Sequence, residues 1–473
     1  MTSASDAQMI ENRTFDELAV GDSASLSHTV TQQDIDLFAV VSGDVNPAHM
    51  DPAYAKTDMF HRIIAHGMLG ASLISTVLGT ELPGPGTIYL GQDLRFLRPV
   101  SIGDTITTSV TVAERHPEKG NLVLDCRCLN QNGELVISGV AHVRAPTEKV
   151  RRQRIELPDV RLSRHERFHA LLAATEGLEP AVTAVAHPCD ANAIGAAVEA
   201  AHAGLITPIL VGPKAKILKA AEAAKVDISA FRLVDAPHSV AAAAAAVALV
   251  RDGEAALLMK GSLHTDELLH AVLAPDSGLG TGRRLSHVYL IDAPGYPRPL
   301  LLTDAAVNIA PDLDQKRDIV QNAVDLAHII GIEKPRVAVL SAVETVNSKL
   351  RSTVDAAALC KMAERGQITG AFVDGPLAFD NAISPEAAAE KGIVSSVAGC
   401  ADILVAPDLE AGNMLAKQLT FLGGADAAGI VLGARVPIIL TSRADSERTR
   451  IASCAVAALI AHRKKSANDI GSV

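Results

Sequence analysis

Two kinds of hydrophobic pattern divide the chain near residue 145. Before that point one apolar run, Met68 to Leu78 (MLGASLISTVL), predicts a buried helix. The segments QDLRFLRPV, DTITTSVTVAERH, NLVLDCRCLNQ and GELVISGVAHVRA follow it, with apolar and polar residues alternating. They are separated by turn signals at Gly103-Asp104, Lys119-Gly120-Asn121 and Asn132-Gly133, as strands of a meander are. A helix followed by such a meander predicts an α+β fold with the sheet wrapped around the helix. Beyond residue 165 the alternation disappears. Unbroken apolar runs such as AVTAVA, ITPILVG, AALLMKG, HVYLIDA, PLLLTDA and RVAVLSAV are interleaved with Ala-rich helices, for example residues 191–203, 318–330 and 353–365. Strands of this kind are covered on both faces, which predicts an α/β region with a mostly parallel sheet. Ligands are then expected beyond the carboxyl ends of the strands. Polar tails at Lys260-Gly261, Thr303-Asp304, Asp374-Gly375-Pro376 and Thr441 to Asp445 mark those ends. Between the two patterns, APTEKVRRQRIELPDVRLSR is basic, carries two prolines and lacks periodicity. The predicted organisation is a first domain over 12–145, a linker over 146–164 and a second domain over 165–473.

Composition refines this picture. Trp is absent and aromatics make up 3%, so Ala, Val, Ile and Leu must fill the cores. The net charge of -11, from 43 basic and 54 acidic residues, argues against a general nucleic-acid binder. It leaves room for anionic ligands held by a few arginines in a cleft. The first residues show neither a basic nor an apolar leader pattern. The longest Ala-rich stretch, Val240 to Val250, is about half the ~20 residues of a membrane span. Six cysteines without a CxxC pair suit a reducing cytoplasm, and Cys126 and Cys128 share one face of a strand as packing residues.

In the first domain, SGDVNPAHMDPAY places Asp44, Asn46, His49 and Asp51 within eight residues. A carboxylate and an imidazole this close on a loop can activate one water; the same residues also make ordinary Asx-turns and helix caps. Their offsets match no metal motif, and no metal is expected. Twenty residues on, IIAHGMLGASL puts His66-Gly67 at the start of the buried helix, where unpaired amides suit an oxyanion. Together these motifs resemble the MaoC-like (R)-specific enoyl-CoA hydratases, and IYLGQDLRFLRPV extends the likeness. The resemblance implies a hotdog fold in which Asp44 and His49 activate water. It implies that the Gly67 amide holds the thioester oxygen of a trans-2-enoyl-CoA, and that Ser75 helps fix the Asp.

In the second domain, AALLMKGSLHTDELLHAVL carries Lys260 and His264, and VDGPLAFDNAIS carries Asp374. PDLEAGNMLAKQL carries Glu410 and Asn413, and VPIILTSRADSERTR carries Ser442, Arg443 and Asp445. Each alone reads as a cap or turn; their recurrence on successive strands points to a ligand cleft. With LTDAAVNIAPDLDQK and KMAERGQITGAFVDGPLAFD, they resemble the phosphate acetyl/butyryltransferase family. That family moves an acyl group directly between CoA and phosphate, so the resemblance implies a CoA thioester and phosphate as substrates and no tightly bound cofactor. It implies a fold of two subdomains like that of isopropylmalate dehydrogenase. It assigns Arg443 to phosphate, as a guanidinium fork suits, and Ser442 to the oxyanion or thiol. Glu410 and Asn413 shape the cleft, while Lys260, His264, Arg284 and Asp374 contact substrate. The tail SRADSERTR departs from the Ser-Arg-Gly of the acetyl branch and looks more like the butyryl branch, with Asp445 the nearest carboxylate for a base.

The sequence therefore predicts a cytoplasmic bifunctional acyl-CoA enzyme, homo-oligomeric through hotdog and transferase interfaces, with no nucleic-acid or membrane partner. A second reading keeps the transferase and makes the hotdog domain a binding or oligomerising module. A third, a decarboxylating dehydrogenase, rests on fold alone. It ranks last, because neither a GxGxxG after the first strand nor an acidic metal triad is visible.

Overall fold

The computed structural model describes residues 9–158, 160, 162, 166–440 and 445–470. The chain divides into two compact units, Met1–Leu162 and Ser163–Val473.

In the first unit, β2 (Ser23–Thr29), β3 (Ile88–Phe96), β4 (Thr105–His116), β5 (Asn121–Leu129) and β6 (Leu135–Arg144) form one antiparallel sheet in the order β2-β4-β5-β6-β3. Alternation in β4 and β5 turns Val110, Val112, Leu124, Cys126 and Cys128 to one face. There they pack on Ile74, Val77 and Leu78 of the helix Gly67–Thr80. This is the expected hotdog arrangement. The short strands β1 (Met9–Glu11) and β7 (Arg151–Gln153) pair with each other, and the Asn12 amide donates to the Glu148 carbonyl at 2.8 Å. Residues 148–153, read from the sequence as linker, are thereby tied to the first unit.

The second unit is built on an eleven-stranded sheet. Its strands are β8 (Ala181–Ala186), β9 (Ile206–Gly212), β10 (Arg232–Asp235), β11 (Leu257–Lys260), β12 (Ser286–Asp292), β13 (Leu300–Thr303), β14 (Arg336–Leu340), β15 (Phe372–Leu377), β16 (Ile403–Val405), β17 (Asp426–Leu432) and β18 (Ile438–Ile439). The order is β10-β9-β8-β11-β18-β17-β12-β13-β16-β14-β15. Five parallel strands end at β18, and four parallel strands start at β13. Between them β17 and β12 run antiparallel to their neighbours, so the HVYLIDA run is not a parallel strand. Asp374 to Pro376 lie within β15 rather than beyond its end.

On one face of this sheet a single core runs beneath both halves, from Val185 and Met259 to Val339 and Ile403. On the other face there are two cores. One holds Ala184, Val211, Leu258 and Ile438; the other holds Leu302, Ala338, Leu377 and Leu404. Between them, on β12 and β17, His287 and Gly429 belong to neither core. Among the described residues no helix is long and apolar enough to cross a membrane.

Candidate active sites

The loop before the first unit's helix is shaped by its own side chains. Asp44 Oδ1 accepts from the Asn46 amide at 3.2 Å, and Asn46 Oδ1 accepts from the Ala48 amide at 3.1 Å. The turn and cap expected of these residues thus form, and they place His49 in the short helix Pro47–Met50. His49 Nδ1 lies 2.8 Å from the Ile64 carbonyl. A carbonyl only accepts, so Nδ1 carries the proton and the neutral ring presents a bare Nε2, the form a general base needs. His66, 3% exposed, stacks on His49 with ring centroids 4.0 Å apart. Its Nε2 donates to the Asp44 carbonyl at 3.0 Å and so pins the carboxylate-bearing loop. From sequence His66 marked only the helix start; its contact across 22 residues had no local signal.

Ligand atoms of Asp44, His49 and His66 lie within 4.8 Å of one another. His49, His66 and Gly67 border a cavity of about 310 Å³ whose other walls include Leu73, Phe96 and Ile137. Gly67 opens the helix, where amides lack an intrahelical carbonyl. A Cβ there would sit 3.1 Å from the Phe96 ring, so the bare backbone lets the wall close on the helix end. Asp44, His49 and Gly67 are thus gathered. Ser75 is exposed on the same helix and is not part of the cavity wall.

In the second unit, the gap between the two cores has its own floor. His287 and Tyr289 of β12 share the face of Ile291, with ring centroids 4.3 Å apart. Gly429, opposite Tyr289 on β17, adds no side chain; a Cβ there would lie 2.9 Å from His287 Nε2. Burial drives the His287 imidazole well below its ordinary pKa, against the pull of Asp304. Burial and the neighbouring Asp445 push the Tyr289 hydroxyl up to about 12. The charge of Asp445 is thus felt at Tyr289, whereas Ser442 and Arg443 fall outside the described residues.

Beside the floor, Asp304 follows β13 and is 4% exposed. Its carboxylate accepts from the amides of Ala306, Val307 and Asn308 at 2.9, 3.0 and 3.2 Å, and from Asn308 Nδ2 at 2.5 Å. Asn308 Oδ1 in turn accepts from Arg284 Nε at 2.6 Å. Asn413 Nδ2 donates to the Ala305 carbonyl at 3.0 Å, which fastens the helix Leu409–Lys417 to the same loop. Glu410 is exposed one turn earlier. The structure brings Arg284 and Asn413 together through Asp304, marked in the sequence only as a polar strand tail, and Asn308, which the sequence did not single out. Lys260 is half-buried at the end of β11, and His264 is exposed at the start of the next helix. Asp374 accepts from the Gly375 amide at 2.8 Å within β15.

Residues 239–458 match the family described as phosphate acetyl/butaryl transferase. A phosphate acetyltransferase from Rhizobium meliloti is 65% identical over 301 residues, 64% of this chain and 95% of that protein. This chain belongs to the phosphate acetyl/butyryl transferase family. A phosphate butyryltransferase from Clostridium beijerinckii is 44% identical over 298 residues, 63% of this chain and 99% of that protein. The solved branched-chain phosphotransacylase from Enterococcus faecalis V583 is 32% identical, with a TM-score of 0.53 over 60% of this chain and 99% of that one. Ahead of the transferase region, residues 20–123 match the MaoC like domain, so the chain is a fusion of the two.

Proposed function

We propose that the second unit transfers an acyl group between CoA and phosphate, and that the first hydrates a trans-2-enoyl-CoA to the 3-hydroxyacyl-CoA. The observation that carries the first part is the Asp304–Asn308–Arg284 group beside His287 and Tyr289, between the two apolar cores of one sheet face. A phosphate oxygen attacks the thioester carbonyl, the tetrahedral intermediate collapses, and the CoA thiolate leaves. Arg443 holds phosphate and Ser442 bonds the oxyanion or thiol. Asp445, whose charge reaches Tyr289, takes the thiol proton in the reverse direction. Arg284 is already aimed by Asn308 and offers a further cation; Lys260, His264, Asp374, Glu410 and Asn413 complete the substrate walls. No tightly bound cofactor is needed. The acyl chain is left between the acetyl- and butyryl-named relatives.

For hydration, the bare His49 Nε2 takes a proton from water, Asp44 orients that water, and hydroxide adds to the β-carbon. The Gly67 amide carries the charge that develops on the thioester oxygen, and the α-carbon then takes a proton. We assign the hydratase to 12–145, the linker, whose β7 pairs back on β1, to 146–164, and the transferase to 165–473. The edge strand β3 exposes Ile88, Tyr89 and Leu90, and Phe421 and Leu422 are exposed in the second unit. These surfaces support a homo-oligomer using both modules. The exposure of Ser75 favours a second reading in which the hotdog module only binds or assembles.

The test follows CoA release from acetyl-, butyryl- and crotonyl-CoA with and without phosphate, and crotonyl-CoA absorbance in parallel. The proteins are the wild type, Ser442→Ala/Arg443→Ala and Asp44→Ala/His49→Ala. Phosphate-dependent release is expected to disappear in the first double variant alone, and hydration in the second alone. Absence of release from every thioester in the wild type sinks the transferase reading. Absence of hydration alone selects the binding-module reading.

A further inference from the structure

The second unit also holds a cavity away from the proposed transfer cleft. It occupies about 540 Å³ on the opposite face of the sheet, beneath the continuous core. Its floor is the far end of β12 and the start of β17, Leu290 to Asp292 and Asp426 to Ala428. Its walls are the helix Glu166–Ala173 and the turn after it, the end of the helix Leu313–Ile329, and the helix Glu447–Ile470. Phe168, Leu171, Leu178, Leu290, Ile330 and Leu459 make most of it apolar. Pockets of several hundred Å³ with apolar walls and a few polar groups are typical of small-molecule sites.

The charges at its border are unequal. Asp292 is paired with Arg167 at 2.6 Å, and Arg167 also donates to the Tyr296 carbonyl at 2.9 Å. Asp426 is paired with Arg448 at 3.2 Å. His462 Nε2 donates to the Glu179 carbonyl at 2.7 Å. Arg463, exposed at the mouth, pairs with no acid among the described residues. Both carboxylates thus have their counter-ions, and one guanidinium remains. An apolar chamber with a single uncommitted cation at its mouth is complementary to a hydrocarbon chain ending in one negative charge. A guanidinium receives a carboxylate in a bidentate fork.

We propose that this cavity binds an aliphatic monocarboxylate, with its chain among the leucines and its head on Arg463. The site lies on the other side of the sheet from the transfer cleft and does not depend on the reaction assigned there. Its neighbours nevertheless reach that cleft. β12 carries Tyr289 one residue from the cavity floor, and the helix that supplies Leu459 and Arg463 begins two residues after Asp445.

Titration calorimetry on the full chain tests the site with butyrate, hexanoate and octanoate, and with octylammonium as the cationic control. One octanoate is expected per cavity, each added methylene tightening binding about fourfold. Octylammonium is expected to bind at least tenfold more weakly. Arg463→Glu is expected to reverse that preference. Ala174→Phe, which fills the cavity from its exposed turn, is expected to abolish octanoate binding with CoA release retained. Octanoate heat unchanged by both substitutions would place the ligand elsewhere, the first unit's cavity included, and would overturn the proposal. So would equal affinity for acid and amine, or no saturable binding at millimolar octanoate. Because binding is read without turnover, its failure leaves the transferase reading intact, and an inactive wild type leaves the binding result intact.

Discussion

His287 is buried beside a carboxylate that has no need of it. Asp304 already accepts from three backbone amides and the Asn308 side chain, so its charge is spread over four donors. Desolvation therefore prevails and the imidazole stays neutral. The consequence for stability has a definite sign. Below the ordinary value of 6.5 the unfolded chain binds a proton that the folded chain refuses, so stability is complete above that pH and is lost as pH falls beneath it. His287→Asn is expected to flatten this acid limb by up to one proton, about 1.4 kcal/mol per pH unit. Parallel urea-midpoint profiles for variant and wild type between pH 7 and 5 would remove His287 from the account. Residues of this kind explain what the sequence withheld. Asp44, His49 and Gly67 sit in neighbouring segments, and one motif and the following helix start announce them. His287 stands in the apolar run HVYLIDA, where an imidazole looks like core. Asp304 stands out in TDAAVN only as a strand-end tail and Asn308 not at all; the fold brings Arg284 and Asn413 to them.

Two helical glycines show how element packing decides the outcome of one substitution. Gly412, in the helix that carries Glu410 and Asn413, faces the Asp304 carbonyl so closely that an added Cβ would lie 2.3 Å from it. Gly195, inside the helix Ala191–His202, would place a Cβ within reach of only the flexible end of Glu199, at 4.0 Å. Gly412→Ala is expected to destabilise by about 1–3 kcal/mol and to lower phosphate-dependent CoA release at least tenfold, because the helix must withdraw Asn413 from the Ala305 loop. Gly195→Ala is expected to stabilise by about 0.5–1 kcal/mol with release unchanged. Denaturation midpoints and the release assay check both, and a stabilised, active Gly412→Ala would show that the contact relaxes freely. The hydrophobic pattern located most elements to within a few residues, including the helix Gly67–Thr80. It did not give strand direction, because an apolar run carries no sign: the run 287–293 becomes an antiparallel strand joined to its neighbour by a short loop. The strand Asp426–Leu432 escaped notice since DAAGIVL begins with small residues that read equally well as helix or turn.

At the scale of the whole chain, the two units differ in how far apart their partners lie in sequence. The first unit's five-stranded sheet pairs strands between residues 23 and 144, and its separate β1–β7 pair is complete by residue 153. The second unit's sheet is joined across its middle by β18, which lies between β11 and β17. Without that strand the remaining ten separate into a group of four and a group of six. On a ribosome this order becomes a delay. Leu258 emerges about 180 residues before Ile438, its partner, which at ordinary elongation speeds is roughly 9 to 36 s. Throughout that interval the nascent chain carries an open, apolar strand edge of the kind that invites mispairing, while the hotdog unit ahead of it has every partner it needs. Protease pulses on stalled nascent chains are expected to find the first unit resistant once residue 153 has cleared the exit tunnel. The second should remain cleavable until residue 439 has followed. The strand that seals the sheet is followed directly by Ser442 and Arg443, so a chain interrupted before it lacks the residues proposed for transfer as well as the seam.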